Sequence, residues 1–204
     1  MKKRSDQSNS LSVSKREKRG YLQVTAILLV VVTLLSSCAS SGTEPPPSGV
    51  PDGAEQCPGE AGTYTCSGLS DHEITLTGVP DEVLPYLLSV PPGREQELRQ
   101  AEKEGTECIF SIVGDLAFYD TENNLVTDFS QTPVKITYSF NEKDMADFEV
   151  CKDSIVAESV QYVPVYFSDK WRPFPEGTST VDGNVVVITV TSWGDQPFGG
   201  GTQP

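Results

Sequence analysis

Val134-Lys-Ile-Thr-Tyr-Ser-Phe140 decides the fold. Successive side chains of an extended strand point to opposite faces. Val134, Ile136, Tyr138 and Phe140 therefore share one face, and Lys135, Thr137 and Ser139 share the other. Strict alternation of this kind belongs to an antiparallel sheet with one face in the core and one in water.

Similar short stretches lie on both sides of it. Glu73-Ile-Thr-Leu-Thr77 alternates in the same way, and Cys108-Ile-Phe-Ser-Ile-Val113 and Leu116-Ala-Phe-Tyr119 look like strands flanking a break. Asp120 to Asn124 is a turn. Downstream, Val160 to Phe167 is a strand in which Pro164, lacking an N–H, demands an edge or a bulge. Val181-Asp-Gly-Asn184 is a hairpin turn. Asn184 to Thr191 is apolar on both faces at its centre and reads as a central strand. Arg94 to Glu104 has helical composition but only Leu98 and Ala101 to bury, so a surface helix is expected. Asn141 can cap a helix of one or two turns at Glu142–Asp147.

Many short strands at close intervals argue for a mainly β chain. The expected fold is a small β-sandwich with one or two short peripheral helices. The sandwich is expected at 107–197, residues 57–106 as a disulfide loop and polar helix preceding it, and the glycine-rich 198–204 as a flexible tail.

Ahead of this lies a different kind of sequence. Basic residues at Lys2, Lys3, Arg4, Lys15, Arg16, Lys18 and Arg19 precede an apolar run of 14 residues, Leu22 to Leu35. Crossing a bilayer takes roughly 20. A basic segment, a short apolar core and small residues form the order of a secretory signal peptide. The run ends in Leu35-Ser36-Ser37-Cys38, which resembles the lipobox of bacterial lipoproteins. That resemblance implies a signal peptide at 1–37, cleavage between Ser37 and Cys38, and diacylglycerol and palmitate chains on Cys38. The thiolate is the nucleophile such acylation needs, and two or more acyl chains make a stable anchor. It also implies a bacterial cell membrane or outer membrane location, facing away from the cytoplasm. Residues 38–56, rich in Pro, Ser and Gly, read as a disordered tether.

Removing the leader sharpens the charge. Residues 1–37 hold seven of the 15 basic and two of the 29 acidic residues, leaving a net charge of −19 over the remaining 167. Nucleic-acid binding needs a basic footprint and is excluded. The expected partners are the membrane, through Cys38, and a protein or other envelope component. Besides Cys38 there are Cys57, Cys66, Cys108 and Cys151. An even count in an exported chain implies disulfides. Of the three connectivities, Cys57–Cys66 and Cys108–Cys151 are favoured, a local loop and a staple. Zinc is disfavoured, since there is no Cys-x-x-Cys and His72 is the only histidine.

Val126-Thr-Asp-Phe129, Pro133 to Tyr138, Val165 to Trp171, Thr180 to Asn184 and Val187 to Ser192 follow in an order that resembles a ZU-type, immunoglobulin-like module of bacterial surface proteins. The resemblance covers 107–193 and implies an interaction or stalk domain without catalytic residues.

Few residues suggest chemistry. His72, beside Asp71 and Glu73, reads as a surface histidine, and no Gly-x-Ser-x-Gly elbow accompanies it. Asp115, Asp120, Glu122 and Asp128 are weak calcium candidates, lacking the EF-hand spacing. Glu95, Glu97, Glu102 and Glu104, interleaved with Arg94, Arg99 and Lys103, suit intrahelical ion pairs better than paired catalytic carboxylates. Trp171, next to a turn, is a candidate ligand contact for sugar stacking, with core packing favoured. The expectation is a non-enzymatic lipid-anchored envelope module without a cofactor. The alternative is a ligand-binding lipoprotein taking carbohydrate, peptide or calcium through exposed aromatics or acidic loops.

Overall fold

A computed structural model describes residues 49–157 and 159–204. The leader, Cys38 and most of the tether lie outside the described residues. Twelve strands form two antiparallel sheets. In chain order they are β1 (Glu55–Gln56), β2 (Gly59–Glu60), β3 (Thr63–Ser67), β4 (Glu73–Thr77), β5 (Val83–Leu88), β6 (Ile109–Asp120), β7 (Val134–Ser139), β8 (Gln161–Phe167), β9 (Trp171–Pro173), β10 (Ser179–Asp182), β11 (Val185–Val190) and β12 (Gln196–Gln203). Helix α1 (Pro92–Gln100) lies between β5 and β6, and α2 (Glu142–Asp153) between β7 and β8. One sheet runs β1-β5-β6-β12-β8-β9, and the other runs β10-β11-β7-β4-β3-β2.

The sheets face each other across one core. Ile74, Leu76, Val134, Ile136, Tyr138, Val186 and Ile188 come from one; Phe110, Val113, Leu116, Phe118 and Phe198 come from the other. Strand β7 has the alternation read from its sequence: Val134, Ile136 and Tyr138 are buried, Lys135 and Ser139 exposed. Aromatic edges meet ring faces through the core, with Phe110 against Phe140 at 5.0 Å and Tyr138 against Phe198 at 5.5 Å. Such pairs add about 0.5–1.5 kcal/mol each beyond the area they bury.

Several boundaries differ from the sequence expectation. Residues 57–106 do not precede the core; they build it, because β3 and β4 join one sheet and β5 the other. The tether ends earlier, since Glu55 and Gln56 pair with Leu87 and Tyr86. The two strands expected at 108–119 are one, β6, which runs through Gly114. Helix α2 is three turns long, because Phe148 and Cys151 extend its buried side beyond Asp147.

The largest correction is the tail. Residues 196–203 form β12, paired to β6 on one side and β8 on the other, with six consecutive residues buried. Its glycines are there for close approach. A Cβ on Gly199 would sit 2.1 Å from the Ser111 carbonyl oxygen, and one on Gly200 would sit 2.4 Å from the Phe110 ring. A flexible tail and a strand squeezed beneath aromatic rings use the same residue for different reasons.

Both disulfides are formed, Cys57–Cys66 and Cys108–Cys151. The edge expected at Pro164 is not found: β8 lies between β12 and β9, Pro164 sits opposite Gly200, and its carbonyl accepts the Phe174 N–H at 3.2 Å just past β9.

Candidate functional site

The sequence candidates scatter over the fold. Trp171 is fully buried, and its Nε1–H donates to the Leu98 carbonyl at 2.7 Å. Around it Leu98, Ile109, Ile112 and Val165 form a second, smaller core beneath α1. The helix is thus docked through Leu98, and Trp171 offers no face to a sugar. This overturns its ligand-contact assignment. The expected ion pairs along α1 are present, Arg99 to Glu95 at 3.0 Å and Arg94 to Glu97 at 3.3 Å. Glu102 and Glu104 fall past the helix end, and Glu104 instead pairs with Lys170 at 2.8 Å and Arg172 at 3.0 Å.

The calcium candidates do not converge either. Asp115 and Asp120 are five positions apart on β6, about 17 Å at roughly 3.4 Å per residue. Asp120 accepts the backbone N–H of Glu122 and of Asn124, both at 2.8 Å. Asp128 accepts that of Ser130 at 2.9 Å. The Asn124 side chain chiefly holds the Asp120 carboxyl below its ordinary pKa, and the Ser130 backbone does so for Asp128. These are turn-stabilising carboxylates. No cluster of three or more His, Cys, Asp or Glu side chains fit to hold a metal ion occurs among the described residues.

Asp115 has a different neighbour, Asp195, from the stretch leading into β12. Burial first, then the charge and shared hydrogen bond of Asp195, push Asp115 well above the usual carboxylate range, against a weaker pull from Arg94. Two carboxyls this close hold one proton between them. Its own burial, and then the charge of the same pair, raise Tyr119. One Asp115 oxygen is buried with no hydrogen-bond partner. Nothing in the local sequence marks this pair, because Asp195 reaches Asp115 only through the β12–β6 register.

The most developed polar arrangement centres on His72. It is not a surface histidine: it is 3 % exposed. It follows a tight turn, Leu69–Asp71, in which Ser70 and Asp71 take left-handed φ of 54° and 62°. Non-glycine residues held there cost of order 1–3 kcal/mol each, so something must hold the turn. Asn141 Nδ2–H donates to the Ser70 carbonyl at 3.0 Å. His72 Nδ1–H donates to the Leu69 carbonyl. On the other side of the ring, Nε2–H donates to Asp144 Oδ2 at 2.6 Å.

Asp144 also begins α2. Its backbone N–H donates to Asn141 Oδ1 at 3.0 Å, and Oδ2 accepts the Asn141 N–H at 2.8 Å. This is a reciprocal capping box with aspartate in place of glutamate. Burial alone would raise the Asp144 pKa, but His72, then Asn141, then a weaker pull from the Ser111 hydroxyl outweigh it and leave it lowered. Ser111 gives that pull without completing a full hydrogen bond. Burial likewise pulls His72 down, and the Asp144 and Leu69 contacts overcome it, so its pKa is raised. Both shifts favour the charged pair. The spacing Asn141-x-x-Asp144 is a capping signal in the sequence. The partner 72 residues away leaves no trace there.

Both nitrogens of His72 are engaged, so in this arrangement it has no lone pair with which to take a proton from a serine hydroxyl. Its role here is to join a strained turn to a helix N-terminus. Beside the pair lies a surface groove of about 390 Å³, lined by Asp71, Glu73, Thr137, Ser139, Asn141 and Asn184 among others.

No protein-family model, curated protein or solved structure matches the chain.

Proposed function

We propose that the chain is a lipid-anchored envelope protein, held on the extracytoplasmic side of a bacterial membrane by acylated Cys38. Its sandwich acts as a non-enzymatic interaction or structural module. The observation that carries this is Leu35-Ser36-Ser37-Cys38 closing a short apolar run. Cysteine usage supports it: the four cysteines after Cys38 are joined in two disulfides, as suits an oxidising compartment. The Pro/Ser/Gly stretch fits a spacer between lipid and domain. The strand order from Val126 to Ser192 adds the resemblance to ZU-type surface modules, which serve interaction and stalk roles. Of the carriers named for a sugar- or calcium-binding reading, Trp171 is buried, Asp120 and Asp128 accept backbone N–H groups of their own turns, and Glu122 is exposed in the Asp120 turn.

The test is metabolic labelling with palmitate. The wild type incorporates label and fractionates with membranes, and Cys38→Ala does neither. Equal labelling of the two proteins ends the proposal.

A further inference from the structure

His72 is the only histidine of the chain, and its ring lies between two groups that can only accept. A carbonyl oxygen has no proton to give, and an ionised carboxylate has none either. A neutral imidazole carries one N–H and can satisfy one of them. Only the imidazolium satisfies both. We propose that His72 is held as an imidazolium and works as a pH-operated latch. Loss of its proton releases the Leu69–Asp71 turn from the N-terminus of α2 and reshapes the groove beside it.

The order of events follows from bond strength. The bond to Asp144 is charge-assisted and the stronger of the two, so the remaining proton of a neutral ring stays on Nε2. The Nδ1 lone pair then faces the Leu69 carbonyl oxygen, and that contact turns repulsive. The turn it held contains two left-handed residues, Ser70 and Asp71, which relax once the tie is gone. Asn141 loosens with them, because its side chain holds Ser70 and its backbone shares Asp144. Asp71 and Asn141 both line the groove of about 390 Å³, and with Ser70, Glu142 and Lys143 they line a second, more open one of about 660 Å³. The turn is therefore a wall common to both.

The groups around His72 leave it as the one that titrates near neutrality. Asp144 from α2 is a lowered carboxylate and stays ionised. Asp71, from the turn itself, adds a negative charge that favours the imidazolium. From β7, Tyr138 is buried, donates to the Gly199 carbonyl at 3.0 Å, and is pushed far above its ordinary pKa, so it stays neutral. From β6 comes the Ser111 hydroxyl; Asp115, four residues further along that strand, is pushed up to about 8 by its burial and by Asp195 and does not act on His72. Glu73 and Lys143 are exposed. The latch is closed at neutral and mildly acidic pH and opens as pH rises.

A lone histidine makes the test unambiguous. The full chain is labelled with 15N, kept in detergent micelles, and titrated upward from pH 6. Both ring nitrogens are expected at imidazolium shifts at pH 7. Deprotonation is expected above pH 6.5, the ordinary histidine value. In the same transition the amides of Ser70, Asp71 and Asn141 are expected to lose hydrogen-exchange protection by tenfold or more, while those of β7 and β11 keep theirs. A neutral ring at pH 7 overturns the proposal. So does deprotonation that leaves those three amides unchanged. His72→Gln, which keeps a donor but cannot titrate, is expected to abolish the transition; the same transition persisting in that variant also overturns the proposal.

Discussion

Asp144 Oδ2 accepts two hydrogen bonds from opposite directions, the Asn141 backbone N–H at 2.8 Å and His72 Nε2–H at 2.6 Å. One oxygen thereby ends a helix and ties it to a turn 72 residues away. Near its other end the same helix is tied by Cys108–Cys151 to the residue that precedes β6. Between these ties Phe148 packs against Phe110 and Tyr162, while Val150 on the other side of helix α2 is largely exposed.

Removing one partner of that pair should be costly. Asp144→Ala leaves a buried imidazole without its acceptor and removes one of the two capping-box bonds of α2, and breaking a buried pair costs about 3–5 kcal/mol. Urea unfolding at pH 6 should show a loss of that size. A change below about 1 kcal/mol would mean that the pair is energetically idle, since even one ordinary hydrogen bond contributes that much.

The pH dependence has two limbs with opposite signs. The folded pKa of Asp144 is below 3.8, so its contribution is present above that value and disappears as acid protonates it. The folded pKa of His72 is above 6.5, so its contribution is full below 6.5 and declines as pH rises through the folded value. Both act together between about pH 4 and 6.5. The contribution of the pair, read as the stability difference between wild type and His72→Gln in denaturant across pH 3–10, should therefore be largest in that window and shrink on its alkaline side.

Asp115 predicts the reverse behaviour. A carboxyl with a raised folded pKa opposes folding once pH exceeds its ordinary 3.8, because the unfolded chain releases the proton more easily. Asp115→Asn keeps a donor for Asp195 and removes that cost. The variant should match the wild type near pH 3.5 and become progressively more stable than it towards pH 8. A gap that does not change with pH would contradict the shared proton.

Strand β12 tolerates no side chain where it passes Ser111. Gly199→Ala brings a Cβ to 2.1 Å from a backbone oxygen, which only parting of the β12–β6 ladder can relieve. Overpacking costs about 1–3 kcal/mol where side chains can shift, and here backbone must move, so the loss should be at the upper end or above. Thermal unfolding of the variant measures it. Deleting residues 196–204 removes the strand between β6 and β8 and should abolish cooperative unfolding altogether.

The disulfides should be unequal. They close loops with separations of 43 and 9 residues. Chain entropy gives about 4 kcal/mol for the longer and about 2.6 kcal/mol for the shorter. Replacing Cys108 and Cys151 by serine should therefore lower stability more than replacing Cys57 and Cys66. It should also loosen α2, read as hydrogen exchange at residues 148–153.

By itself the sequence determined the architecture class and favoured one of three cysteine pairings, which the folded chain then fixed. Alternation at Val134–Phe140 and Glu73–Thr77 is a local property, written wherever one face of a strand meets a core and the other meets water. The stretch Leu35-Ser36-Ser37-Cys38, on which the proposed anchor rests, is equally local. What only tertiary structure decided depends on contacts between residues far apart. Gly199 to Gly201 read as a loose tail until β6 and β8 were seen to close on both sides of them. Trp171 turned inward because Leu98 of α1 covers it and takes its N–H. His72 is buried against Asp144, which raises its pKa, and Asp115 is raised by its burial and then by Asp195. Periodicity reports which face is wet. It carries no information about which distant group will be opposite, and proton affinity depends on that group.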